Sequence, residues 1–156
     1  MIIYIGADHR GFKLKQSLVD YLKSSGYSVS DLGDDRYDEN DDYVDFAIKV
    51  AEKVIGDPIG GKGVLICGSG VGVDVVANRF PGVRSALAIS TDQVLMARKD
   101  DDVNVLSLAA DFTDEDTAKK ILGVWLQTPF SGEERYQMRL NKLKELDNSI
   151  NQLPNL

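Results

Sequence analysis

The sequence predicts an α/β fold, a parallel β-sheet covered by helices, and three observations carry that prediction. Short continuous apolar runs alternate with stretches of helical apolar spacing along the chain, the pattern of strands joined by crossover helices. The length of 156 residues suits one domain with one core. Apolar residues at 43% and charged residues at 28% are ordinary globular proportions and exclude a disordered or low-complexity chain. A single domain is expected over 1–150, followed by a loose tail, NQLPNL, at 151–156.

In chain order, IIYIG (2–6), YSVSDL (27–32), GVLIC (63–67), RSALAI (84–89) and NVLSL (104–108) read as strands. Leu14, Leu18, Tyr21 and Leu22 recur at helical spacing after the first run. After the second, Tyr43, Phe46, Ala47, Val50, Ala51 and Val54 do the same. Thr113 with Asp116 resembles a capping box and opens a helix carrying Ala118, Ile121, Leu122, Trp125 and Leu126. Ser131 with Glu134 repeats the signal and opens a last helix over 132–149. The acidic stretch 31–42 is expected to be a solvated loop.

Charge and composition exclude several partners. Eighteen basic against twenty-five acidic residues give a net charge of -7, the wrong sign for following a phosphate backbone or an anionic membrane. The first apolar run stops at Gly6, with no basic segment before it, so neither a targeting signal nor a membrane span is expected and the protein is read as cytoplasmic. One cysteine, Cys67, and one histidine, His9, provide no internal disulfide and no His/Cys zinc cluster.

Ligands of an open parallel sheet collect beyond the carboxyl ends of its strands, which directs attention to the turns. The first is Ala7-Asp8-His9-Arg10-Gly11, with the histidine and a carboxylate together. The third strand leads into Cys67-Gly68-Ser69-Gly70-Val71-Gly72, whose glycines let backbone N–H groups line a concavity at a helix start. Cys67 there has two readings: a thiolate favoured by amides and helix dipole, or a core filler. On the last helix Arg135 and Arg139 are four apart, suited either to a phosphate or to offsetting Glu133 and Glu134 at the surface. Two look-alikes fail. GSGVG lacks the third glycine of a dinucleotide fingerprint, and the Gly56 to Lys62 match to a P-loop precedes a strand where it should follow one.

Five ordered segments, GADHRGFKLK (6–15), DYVDFA (42–47), ICGSGVGVDVVANR (66–79), ARKDDDVNVLSL (97–108) and FSGEERYQMRL (130–140), resemble the sugar-phosphate isomerases that include ribose-5-phosphate isomerase B and the galactose-6-phosphate isomerase subunits. The resemblance runs along nearly the whole chain. It implies a Rossmann-like three-layer α/β/α sandwich with a five-stranded parallel sheet. It also implies a homodimer with shared active sites, or a higher oligomer, acting on a small sugar phosphate without metal or organic cofactor. By the same resemblance Cys67 is the base that moves a proton between C1 and C2 through a cis-enediolate, with Ser69 beside it. Gly68, Gly70 and Gly72 would stabilise the anion, Asp8 would orient sugar hydroxyls, and His9, Arg135 and Arg139 would grip the phosphate.

The chain also departs from that pattern. Asp100 stands where the family has the histidine assigned to ring opening, Asp101 where it has an asparagine near the enediolate, and Asp111 where many members have a phosphate-binding arginine. Each change adds negative charge to an anion site. Crowding among Asp100, Asp101 and Asp102 could raise one pKa and make a ring-opening base, or the segment is a solvated loop. The leading expectation is an aldose–ketose isomerase, ribose 5-phosphate first among its substrates. The alternative is a catalytically impaired sugar-phosphate binder or one subunit of a heteromeric isomerase. A receiver-like signalling domain is disfavoured, because the third strand ends in Cys67 in place of an aspartate.

Overall fold

The computed structural model describes residues 1–57 and 59–150; the expected tail at 151–156 lies outside the described residues. Its strands are Ile2–Ala7 (β1), Ser28–Asp31 (β2), Lys62–Cys67 (β3), Ser85–Leu87 (β4) and Val105–Ala109 (β5), one on each expected run. They form a single parallel sheet in the order β2-β1-β3-β5-β4. The helices among the described residues are Phe12–Ser24 (α1), Tyr43–Gly56 (α2), Val71–Ala77 (α3), Thr91–Asp101 (α4), Glu115–Gln127 (α5) and Glu134–Ile150 (α6).

Alternation along the strands divides the core into two layers. Ile3, Ile5, Val64, Ile66, Leu106 and Leu108 face α1 and α5, where Leu18, Leu22, Ile121, Leu122 and Trp125 meet them. Tyr4, Leu65, Cys67 and Val105 face α2 and α3, against Ala47, Val50, Ala51, Val73 and Ala77. Trp125 is fully buried and donates its indole N–H to the Val103 carbonyl at 3.2 Å. Truncating it to alanine would cost about 3–5 kcal/mol. From β1 the chain crosses to β2 on one side, and from β3 it crosses to the other side, so the topological switch point falls between β1 and β3.

Three local expectations are corrected. Helix α5 is capped by Asp114, whose Oδ1 accepts from the Thr117 N–H at 2.9 Å; Thr113 is buried just before it. Helix α6 begins at Glu134, two residues later than expected, and the Ser131 hydroxyl accepts from the Glu133 N–H at 3.4 Å, short of capping the helix itself. The acidic stretch is more than solvated loop: Asp31 pairs with fully buried Lys15, Asp41 with His9, and Asp42 caps α2 through the Val44 N–H.

Candidate active site

The turn after β1 is organised by two carboxyl groups. Asp8 is 5% exposed, and its Oδ1 accepts from the Gly11 N–H at 3.0 Å, closing the turn that starts α1. Burial pushes the Asp8 pKa above the ordinary carboxyl range, against the opposing pull of the Gly11 amide. Beside it, one oxygen of Asp41 accepts from the His9 backbone N–H at 2.9 Å and meets the His9 Nδ1 at 2.7 Å. A carboxylate only accepts, so Nδ1 carries the proton and Nε2 is left for another partner. That hydrogen bond raises the imidazole pKa above its ordinary value, desolvation opposing it, and favours the cation.

The turn after β3 lies alongside, tied on by the Asp8 N–H donating to the Ile66 carbonyl at 3.3 Å. Cys67 ends the strand with its side chain toward α2 and α3, 4% exposed. The chain then turns through Gly70, which takes φ +73 to cap α3, and an added Cβ there would overlap Leu87 and stand 3.0 Å from the Leu108 carbonyl carbon. A Cβ on Gly72 would lie 2.7 Å from the Tyr43 ring, and one on Gly68 would overlap the Arg10 guanidinium. Ser69 is exposed, its hydroxyl 3.4 Å from the Val71 N–H that donates to it. The Cys67 and Gly68 carbonyls accept from the Ala110 and Asp111 N–H groups at 2.9 and 3.0 Å, joining this turn to the one after β5. Arg10 reaches across Gly68 to pair with Asp111.

The remaining expected residues occupy the opposite edge of the sheet. Asp100 and Asp101 form the last turn of α4, a helix and not a loop, which runs from the carboxyl end of β4 back to the amino end of β5. Strand β5 alone spans about 13 Å between the two edges at roughly 3.3 Å per residue, so Asp100 and Cys67 do not meet within one chain. The expected crowding is relieved because Asp102, at φ 47 beyond the helix, gives its carboxylate to Arg98 at 2.7 Å and Arg84 at 2.9 Å. Arg135 and Arg139 flank the ring of Tyr136, with guanidinium carbons 4.4 and 5.4 Å from its centroid, on the same side of α6. The segment before α6 is fastened to the end of α4 by the Ser131 N–H donating to the Lys99 carbonyl at 3.1 Å. Between α6, α4 and edge strand β4 opens a groove of about 880 Å³ lined by Ala86, Val103, Phe130, Leu140, Leu143 and Leu146.

Two groups at the carboxyl edge were not singled out from sequence. Asp41 sits inside an acidic run and has no spacing that ties it to His9, 32 residues away. Arg10 stood in the quoted turn, but its partner Asp111 is 101 residues distant. Among the described residues no three His, Cys, Asp or Glu side chains converge to hold a metal ion, and no helix is long and apolar enough to cross a membrane.

Taken together, the carboxyl edge brings a thiol at a strand end, backbone amides at a glycine turn, a buried carboxyl and an imidazole whose pKa is raised by Asp41 to two adjacent turns. Such a set can move a proton at a carbon whose neighbouring oxygen gathers negative charge. A family model described as Ribose/Galactose Isomerase matches residues 3–143. A probable ribose-5-phosphate isomerase B of Mycoplasma genitalium is 41% identical over 141 residues, 90% of this chain and 92% of that protein. Ribose-5-phosphate isomerase B of Mycobacterium tuberculosis is 36% identical over 94% of this chain and 90% of its own. The crystal structure of the Mycoplasma genitalium enzyme with bound ribulose-5-phosphate superposes with a TM-score of 0.91 at 39% identity, covering 94% of this chain and 96% of that one. The Clostridium thermocellum enzyme gives 0.90 at 38% identity, over 96% and 99%. Sequence and fold therefore agree that this chain belongs to the ribose/galactose isomerase family.

Proposed function

We propose that this protein interconverts ribose 5-phosphate and ribulose 5-phosphate, with no cofactor, through a cis-enediolate. The observation that carries the proposal is the topological switch point between β1 and β3, where Cys67 ends a strand at a glycine turn beside the β1 turn of Asp8 and an Asp41-supported His9. Cys67 takes the proton from C2 of the open-chain aldose and returns it at C1. Backbone amides of the 68–72 turn hold the enediolate oxygens, where they act most strongly because the charge develops there. Ser69 lies beside the base, Asp8 orients sugar hydroxyls, and imidazolium His9 receives the phosphate.

The working unit in this reading is a homodimer in which each crevice is completed by the neighbour. Separation of Asp100, Asp101, Arg135 and Arg139 from Cys67 within one chain supports it, as does the groove beside exposed Leu143, Leu146 and Ile150 of α6. A second chain would bring the two arginines to the phosphate and Asp100 to the ring oxygen. The acidic residues at 100 and 101 favour one other reading, a sugar-phosphate binder that turns over slowly or needs a different partner subunit. Turnover of a panel of ribose, allose and galactose phosphates by the purified protein, coupled to a ketose assay, decides between them. Rapid conversion of ribose 5-phosphate supports the isomerase; tight binding without ketose production supports the binder.

A further inference from the structure

Asp111 puts a carboxylate at the mouth of the glycine turn, its own N–H donating to the Gly68 carbonyl at 3.0 Å. An anionic substrate entering there meets Asp8, Asp41 and Asp111, a poor reception for a phosphate. Arg10 changes that balance. It follows His9 directly, lies on Gly68 so closely that a Cβ there would overlap its guanidinium, and pairs with Asp111 through one terminal nitrogen. The two side chains are 55% and 36% exposed, so the guanidinium can accept a second anion without any buried charge being stripped of its partner.

We propose that Arg10 is a substrate-binding residue of this crevice, aimed by Asp111 so that the phosphate of the sugar is received by its remaining N–H groups. The proposal rests on the isomerase reading above and adds a ligand to it. A guanidinium presents five donors in a planar fork, so one pair can stay on Asp111 while others meet a phosphate oxygen. Asp111 is then a positioning residue.

The test compares wild type with Arg10→Ala, Arg10→Lys, Asp111→Asn and the Arg10→Ala, Asp111→Asn double variant. Calorimetry gives the Kd of ribose 5-phosphate, steady-state assays give kcat and KM, and inorganic phosphate serves as a competitive probe. Arg10→Ala is expected to raise Kd, KM and the phosphate inhibition constant together by about 10-fold or more, with kcat nearly constant. Arg10→Lys should recover part of that loss. The double variant should stay as weak as Arg10→Ala. If it returns to wild-type affinity, Arg10 merely neutralises Asp111 and the proposal is overturned, as it is by an unchanged Kd in Arg10→Ala. Because Kd is read without turnover, the two readings fail separately. An active wild type with unaltered Arg10→Ala binding sinks this proposal alone, and binding lost in Arg10→Ala by a protein that never turns over sinks the isomerase alone.

Discussion

The two edges of the sheet are built on different terms. At the carboxyl edge, Asp8 is buried, Cys67 belongs to the α2/α3 core layer, and the β1, β3 and β5 turns are fastened to one another by backbone hydrogen bonds. Its polar groups are oriented before any ligand arrives. At the amino edge, Arg135 is held by Tyr136 and by Glu133 at 3.3 Å, and α6 buries only Tyr136 among its described side chains. One edge is fastened by buried polar groups and backbone hydrogen bonds; the other carries arginines on a largely exposed helix. The lesson is that in this fold the groups held rigidly sit where strands end, and the exposed arginines sit on the helix that the core does not claim.

The sharpest way to break this comparison is at the carboxyl edge. Cys67→Ala should lower turnover by about 10²–10⁴-fold, the usual worth of a general base, while sugar-phosphate affinity measured by calorimetry stays close to wild type. Substantial residual turnover would remove the thiol from the chemistry and leave it a core residue of the α2/α3 layer.

The second experiment joins the edges. Mixing Cys67→Ala chains with chains carrying both Arg135→Ala and Arg139→Ala should regenerate activity, because one of the two crevices in each heterodimer receives an intact thiol from one subunit and intact arginines from the other. Recovery approaching half of the wild-type activity per heterodimer is the upper expectation. Verified heterodimers without recovery would place thiol and arginines of a working site in the same chain.

How much of this was legible in the sequence depends on the edge. The strands were legible because each is an apolar run, and the adjacency of the turns beyond them because parallel strands end together at one edge. Helix α4 was not, since it buries only Val94 and Arg98 and leaves Leu95 and Met96 exposed, so no apolar stripe announces it. For the same reason Asp100 read as part of a loop. Asp41 and Asp111 were invisible as partners because tertiary contact, and no local spacing, joins them to His9 and Arg10. Asp102 is a case the run of three aspartates does not reveal: its carboxylate pairs with both Arg84 and Arg98 in the fold.

A smaller effect sharpens the account of the carboxyl edge. The Asp41 hydrogen bond raises the His9 pKa, so the imidazolium persists above its ordinary titration near 6.5 and is lost as pH rises through the raised value. Phosphate affinity contributed by His9 should therefore be full at lower pH and decline across that interval. Asp41→Asn removes the largest raising influence and should move the decline to lower pH. The single histidine makes this readable by NMR titration of one imidazole alongside Kd. Superimposable profiles for the two proteins would show that the charge on His9 does not serve the ligand.

Helix α6, with its exposed Leu143, Leu146 and Ile150, has one more consequence. If a working crevice is assembled only between two chains, the catalyst is a product of association, and its abundance obeys mass action in the protein itself. Specific activity should then be constant at high concentration and fall on dilution through the dissociation constant of the pair. The rate of sugar interconversion would follow the square of chain concentration in the dilute limit, a dependence set by the grip of one helix and not by the chemistry at Cys67.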